Sequence, residues 1–485
     1  MQDATYWTDQ LKKGTLSFSE HVAKIAEKVE QYNPDLNALV TFDPEAALKQ
    51  HQHTSYKERL FGGQPIPLKM LGQNKAGWQA TSASQLFSKA TANQTNHFVK
   101  RLEQIGFIPL GQTNAPEFGF KNITDPALYG DTRNPWNSLY SPGGSSGGAA
   151  ATVASGIFPI AGASDGGGSI RIPASFSGLI GLKPTRGTMP VGPDEWRSWQ
   201  GASISFALTI SMRDTKSLFY AMRTSQPSAP YQAPKAEWNH TKETTASKPL
   251  TIAFTTQSPV GDKISDTAVQ AVKEAATFLE QQGHKVVEIN YPVDGQEMME
   301  SYYVMNGGET AAMFSDINAT REKAVTSKDM ELMTWALYQY GEKIAAASYI
   351  KALQYWDYLA EKMEDLFISY DLFLTPTTAF SAPLIEEDLQ SDSIRARLKE
   401  IEAVDEKTAA NLVYEMFEKS YHLTPYTQLA NLTGQPAISL PTAVTEKNLP
   451  LGIQFMASKG REDLLLQVGQ LFEANQKFHL PKQIQ

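Results

Sequence analysis

The stretch from Leu250 to Asn290 constrains the fold most. LTIAFTTQS reads as a strand, SDTAVQAVKEAATFLEQQG as a helix and HKVVEIN as a second strand. Val269, Val272, Ala276 and Leu279 recur at helical spacing behind a Ser265 cap, and Gly283 ends the helix. Strand, helix and strand joined in this way form a crossover between two parallel strands. The short apolar runs PIPLKML, GFIPLGQ and GIFPIAG also alternate with polar or helical stretches, so an α/β fold with parallel strands is expected. Strand-like runs return with YDLFLTPTT, PAISLPTA and LPLGIQFMA, and the amphipathic REDLLLQVGQLFEAN closes the pattern.

Around this framework the chain divides by pattern. Residues 1–58 read as a helical cap, since SFSEHVAKIAEKVEQY places Val22, Ile25 and Val29 on one face behind a Ser and Glu start signal. Residues 60–230 hold the glycine- and serine-rich motifs. SQPSAPYQAPKAEWNHTKETTASKP, rich in Pro, Ser and Thr and without apolar periodicity, reads as a surface connection. Between 296 and 369, Tyr302, Tyr303, Met305, Trp335, Tyr338, Tyr340, Tyr355, Trp356 and Tyr358 lie in helix-forming sequence, where aromatic and methionine side chains most often pack a core.

Composition removes whole classes of function. With 43 Lys and Arg against 52 Asp and Glu the net charge is -9, and no long basic run offers a surface to phosphates, so no nucleic-acid partner is expected. The absence of cysteine rules out disulfides, thiolate nucleophiles and Cys-ligated metals. No apolar run reaches the length of a signal peptide or a membrane span, so a soluble, cytoplasmic protein without a membrane partner is expected. The eight histidines show no metal-ligand spacing, and His51 with His53 sits in a polar stretch. No metal and no cofactor is expected.

The chemistry concentrates at GASDGGGSIRIPAS. Gly166, Gly167 and Gly168 let successive backbone N–H groups turn to one point, which suits an anion or a developing oxyanion, and Ser169 follows at once. A hydroxyl needs a base, yet no histidine lies between His97 and His240. SPGGSSGGAAATVASG supplies two further serines, Ser145 and Ser146, before an alanine-rich helix former. Lys69 stands among apolar residues on an expected buried strand, where desolvation pushes the amine below its usual pKa of about 10.4 and allows it to act as a base.

GGSSGG at 143–148, SDGGGSIRIPAS at 164–175 and GLKPTRG at 181–187 resemble the amidase signature family. PIPLKM and GQTNAPEFGF upstream, and LTPTT, NLTGQPAISLP and LPLGIQF downstream, extend the resemblance over most of residues 60–475. The resemblance implies one domain over residues 1–485, with a large central mixed β-sheet covered by helices on both faces. It implies a Ser–cis-Ser–Lys triad in which Ser169 is the nucleophile, Ser145 the bridging serine and Lys69 the base. Gly166, Gly167, Gly168 and the Ser169 amide then form the oxyanion hole, with Ser146, Asp165 and Arg171 in support. The expected enzyme is a stand-alone amidase acting on a small-molecule amide as a monomer or homodimer, with a helical layer at 296–420 lining the substrate pocket. The chain departs from the family at Met70, where an acidic residue or asparagine is usual, and at Gly166, where threonine is common.

Three other readings compete. A glutaminase subunit of a tRNA-dependent amidotransferase shares the motifs. Gly143-Gly144-Ser145-Ser146-Gly147 also satisfies the nucleophile elbow of an α/β-hydrolase esterase, although nothing in that reading uses Lys69 or Ser169. A nucleotide-binding module would need a lysine after its glycines, and neither cluster has one at the required place. Ser348-Tyr-Ile-Lys351 matches S-x-x-K inside an alanine- and aromatic-rich helix, where so short a pattern arises by chance.

Overall fold

The computed structural model describes residues 2–53, 55–233 and 248–484, so the centre of the expected surface connection, 234–247, lies outside the described residues. Eleven strands are described. They are β1 (Leu39–Thr41), β2 (Pro65–Lys69), β3 (Ile108–Thr113), β4 (Ile160–Asp165), β5 (Ile180–Lys183), β6 (Ile204–Thr209), β7 (Thr251–Phe254), β8 (Lys285–Glu288), β9 (Leu372–Pro376), β10 (Ala437–Val444) and β11 (Pro450–Met456). Eight form one mixed sheet in the order β4-β6-β5-β10-β11-β9-β7-β8, and the other three form a small sheet, β1-β3-β2.

The crossover read from sequence is present: β7 and β8 pair in parallel around helix Asp266–Gln281, with Ser265 accepting from the Ala268 amide. The buried face of that helix runs through Ala268, Ala271, Val272, Ala275, Ala276, Phe278 and Leu279, so Ala268 rather than Val269 faces the sheet. The expectation of parallel strands holds for β2 with β3 and for the β9-β7-β8 edge. It fails for the run GIFPIAG, because β4 joins the large sheet antiparallel to β6. Antiparallel pairing continues through β5, β10, β11 and β9. Short apolar runs specify strands but not their direction, which is set by the segments that connect them.

The two-residue period of the strands gives the sheet two apolar faces. Ile252, Leu372, Leu374, Ile438, Leu440, Ile453 and Phe455 belong to one core, with helices Asp266–Gln281 and Glu462–Ala474. Ala253, Phe373, Ala437 and Met456, each next in sequence to one of those strand residues or to a neighbour of one, belong to a second core. That second core is filled by helices Gly295–Ala319, Leu332–Gly341, Ala346–Ser369 and Glu406–Leu423. Sheet and two helical layers thus follow from alternation along each strand.

At the N-terminal end, helix Phe18–Leu36 opens with a full capping box between Ser17 and Glu20. His51 is stacked on Phe18 with ring centroids 4.2 Å apart and also on Tyr56, an aromatic packing role. Among the described residues no helix is long and apolar enough to cross a membrane.

Candidate active site

β2 of the small sheet and β4 of the large one deliver their C-terminal ends to the same place. Gln73 ties them together: its side-chain oxygen accepts from the Lys69 amide at 2.9 Å, and its nitrogen donates to the Ala163 carbonyl at 3.0 Å. Lys69, the last residue of β2, is fully buried. Its Nζ lies 2.8 Å from Ser145 Oγ and 2.9 Å from Ser164 Oγ. Burial pulls its pKa from 10.5 down to about 7, with Asp165 pulling the other way. Lys183 is also buried and also lowered to about 7, again chiefly by burial, yet its Nζ donates to the Pro184 carbonyl. A depressed pKa alone does not select a base; the serine contacts distinguish Lys69.

Ser145 follows a cis Gly144–Ser145 peptide bond, and its hydroxyl lies beside Gly119. Ser146 is bolted to β4, donating to the Ser164 carbonyl at 3.1 Å and accepting from the Ser164 amide at 3.3 Å. Helix Gly147–Ala154 begins immediately after it, buried throughout.

The glycine loop leaves β4 at Asp165 and enters helix Arg171–Ser177. Arg171 grips Asp165 with two bonds, Nε to Oδ2 at 3.0 Å and Nη2 to Oδ1 at 2.9 Å, and both side chains are fully buried. The guanidinium also donates to Gln454 Oε1 and Asn431 Oδ1, each at 2.7 Å. Although burial pushes the Asp165 carboxyl up, Arg171 and Asn431 more than offset it and hold the pKa at about 2.

The loop's carbonyls are held one by one. Gly166 O accepts from the Tyr302 hydroxyl at 3.4 Å, Gly167 O from Thr427 Oγ1 at 2.7 Å, and Gly168 O from the Ile172 amide at 2.7 Å. Here the structure departs from the sequence reading. The Gly168 amide donates to Asp165 Oδ1 at 2.8 Å, so it is a structural bond and not an oxyanion donor. Gly168 is nonetheless required, because its φ is +126° and a Cβ there would stand 2.2 Å from Thr427 Oγ1. Among the described residues the amides of Gly166, Gly167 and Ser169 have no acceptor in the protein, and of the three Gly167 and Ser169 line the cleft.

Gly167 and Ser169 open on a small cleft of about 50 Å³ lined by Phe120, Ile172, Tyr302, Tyr303, Phe417 and Tyr421 and also by the polar Lys121, Asn122, Asn306 and Gln428. Of the aromatic residues singled out between 296 and 369, only Tyr302 and Tyr303 reach it; Trp335, Tyr340 and Trp356 are buried in the second core and Tyr358 is exposed. Phe120, Phe417 and Tyr421 come from elsewhere. A larger cavity of about 680 Å³, bordered by Trp7, His21, Lys24 and Lys28, contains none of Lys69, Ser145 and Ser169.

Sequence reasoning did not find Ser164, Gln73, Thr427, Asn431, Gln454 or Trp199. Ser164 adjoins the glycine motif and Asn431 lies inside NLTGQP, so both stood in recognised motifs. Gln454 likewise stood inside LPLGIQF, whereas nothing local to Trp199 signals a role, since it acts only through long-range contact.

The family model described as Amidase matches residues 20–466. A lipoamidase of Enterococcus faecalis is 39% identical over 466 residues, 96% of this chain, and the chain spans 62% of that relative's length. A 6-aminohexanoate-cyclic-dimer hydrolase of Paenarthrobacter ureafaciens is 30% identical over 481 residues, covering 97% of this chain and 94% of the relative. A solved structure of 6-aminohexanoate cyclic dimer hydrolase complexed with substrate superposes with a TM-score of 0.89 at 29% identity, covering 100% of this chain and 99% of the other.

Proposed function

The chain belongs to the amidase signature family of hydrolases acting on amide bonds, and from that premise we propose that it cleaves amides through Lys69, Ser145 and Ser169. The observation that carries this reading is the fully buried Lys69 amine, lowered to about pKa 7 and 2.8 Å from Ser145, whose hydroxyl lies beside Gly119 of the cleft that Ser169 also lines. A neutral amine donates one hydrogen to Ser164 and accepts one from Ser145. Ser145 in turn takes the proton of Ser169, whose Oγ attacks the amide carbon. The C–N bond then breaks, the relay returns a proton to the departing nitrogen, and water cleaves the resulting ester, regenerating the Ser169 hydroxyl. The amides of Gly166, Gly167 and Ser169 stabilise the oxyanion of each tetrahedral intermediate.

The acyl part of the substrate carries methylene groups. Phe120, Ile172, Tyr303 and Phe417 give the small cleft an apolar portion that favours such groups, while Asn122, Asn306 and Gln428 add polar groups to the same lining. The relatives' names, lipoamidase and 6-aminohexanoate-cyclic-dimer hydrolase, both refer to amides of acids with flexible methylene chains, which supports the same class. A fluorophosphonate should label Ser169, and a series of primary amides of unbranched acids, with lipoamide included, should show kcat/KM rising with chain length. Labelling at Ser145 in place of Ser169 would refute the mechanism; turnover confined to glutamine and other small hydrophilic amides would refute the substrate class.

A further inference from the structure

The three glycines of the loop face three different walls. A Cβ on Gly166 would lie 3.0 Å from Trp199 Cε3, one on Gly167 2.4 Å from the Tyr302 hydroxyl, and one on Gly168 2.2 Å from Thr427 Oγ1. Trp199 packs against Phe120 and Tyr302, with ring centroids 6.0 Å away in each case. Thr427 does more than fill space. It immediately precedes helix Gln428–Thr433, four residues before Asn431, and both side chains reach the loop. Asn431 Nδ2 donates to the Asp165 backbone carbonyl at 3.0 Å and to Asp165 Oδ1 at 2.8 Å, while Thr427 Oγ1 donates to the Gly167 carbonyl. One short helical segment therefore clamps the loop just before its glycines and again in their middle.

The consequence follows from peptide geometry. Carbonyl and amide of one trans peptide point in opposite directions. Holding the Gly167 carbonyl on Thr427 turns the Gly168 amide onto Asp165, so the middle plane of the loop is anchored at both ends. The planes on either side carry the amides of Gly167 and Ser169. Those flanking planes are held at their carbonyls by the Tyr302 hydroxyl and the Ile172 amide, so with the middle plane fixed as well the loop keeps both amides in one direction, as preorganised donors must be.

We propose that Thr427 is a positioning residue for amide cleavage, its hydroxyl fixing the oxyanion donors through the Gly167 carbonyl. The inference rests on Ser169 being the nucleophile. Thr427 does not line the cleft, so its effect belongs in kcat and not in substrate binding.

The test compares wild type, Thr427→Val and Thr427→Ser in turnover of octanoyl p-nitroanilide and in the rate of fluorophosphonate labelling of Ser169, with melting curves for each. In Thr427→Val, kcat should fall about 10- to 100-fold, short of the ~10²–10³ for removing an oxyanion donor outright, with KM within about twofold. Labelling should slow in parallel, because the phosphoryl oxygen occupies the oxyanion position. Thr427→Ser should recover to within about threefold of wild type, which a purely space-filling role would not produce. If Thr427→Val does not fold, Thr427→Ala is read in its place against Thr427→Ser. A kcat within about twofold of wild type in the hydroxyl-less variant, a KM effect alone, or a serine variant no better than valine overturns the proposal. A wild-type enzyme that turns over the anilide without labelling at Ser169 overturns the nucleophile assignment and this inference with it; normal labelling in Thr427→Val overturns the clamp alone.

Discussion

The glycine loop and the helical layer meet at the same cleft and are built in opposite ways. In the loop, Asp165 and Arg171 share a polar network with Asn431 and Gln454, and each carbonyl from Gly166 to Gly168 has a named donor. In the layer, contact is aromatic and apolar: Tyr303 stacks on Phe417 with centroids 4.6 Å apart and planes 7° apart, and Phe314 tilts against Tyr338 at 4.8 Å. Hydrogen bonds have direction, so the loop can hold amides at fixed angles. Apolar packing has little direction and tolerates changes of shape that preserve volume, so the layer can set the form of a pocket without fixing any one atom. Substitutions in the polar site should accordingly act on turnover, and those in the layer on substrate choice.

Lys69→Met should produce the largest loss, several orders of magnitude in kcat/KM, because it removes the proposed base while preserving much of the side chain's volume. The base must be neutral, so wild-type kcat/KM should rise from about pH 6 to about pH 8, following the depressed pKa, while the residual rate of Lys69→Met should lack that step. The apparent value belongs to the Lys69–Ser145–Ser169 unit as a whole. The substitution should lower activity but raise stability. The Lys69 amine is charged in the unfolded chain below its ordinary 10.5 but prefers to be neutral when folded, down to about 7. It therefore opposes folding increasingly as pH falls from 10.5 to 7, and fully below that. Lys69→Met should melt higher than wild type at pH 7, less the contribution of the Ser145 and Ser164 hydrogen bonds it breaks, and that gain should shrink towards pH 10. A lower melting temperature at pH 7 together with preserved turnover would show that the amine is a structural cation.

The same contrast explains what could be read in advance. GGSSGG, SDGGGSIRIPAS and PIPLKM carry the polar site because backbone exposure, a hydroxyl and a buried amine each demand a particular residue type at a particular place. The outer anchors were harder to read: Asn431 and Gln454 stand in the motifs NLTGQPAISLP and LPLGIQF but without a visible partner, and Thr427 stands in none. Thr427, Asn431 and Gln454 lie roughly 260 to 290 residues beyond the loop, and an ordinary threonine, asparagine or glutamine becomes specific only when the sheet brings β11 and the segment before β10 beside β4's exit. In the layer, helical sequence and aromatic content were legible, but not which rings turn to the cleft: Tyr303 does, whereas Trp356 packs inward and donates to Ser301. Both choices satisfy burial equally well, so composition cannot separate them.

Phe417→Ala tests the layer and should have a smaller effect on turnover. Removing the ring opens the cleft opposite Tyr303 and leaves a cavity, which lowers stability by about 3–5 kcal/mol. The loop does not contact this residue through its hydrogen bonds, so kcat for the best substrate should stay within about threefold, while KM for short acyl chains rises about tenfold and the optimum shifts to longer ones. A uniform loss of kcat across the whole series would break the division between an apolar part that selects and a polar part that reacts.

The smallest effect is expected at His422, and it tests the histidine-dependent rival directly. His422 sits in the last turn of helix Glu406–Leu423, next to Tyr421 of the cleft wall, yet it does not itself line the cleft. Its Nε2 lies 2.9 Å from Asp262 Oδ2, with side chains 33% and 44% exposed. A polar contact that open to solvent contributes about 0–1 kcal/mol. His422→Ala should therefore lower the melting temperature by no more than a few degrees, about 2–4 °C per kcal/mol for a chain of this size or less. Its kcat/KM should stay within about twofold of wild type at every pH, preserving the step that Lys69→Met abolishes. A loss in His422→Ala as deep as that of Lys69→Met would move the base from the buried amine to an imidazole and return Ser145 to the role of nucleophile.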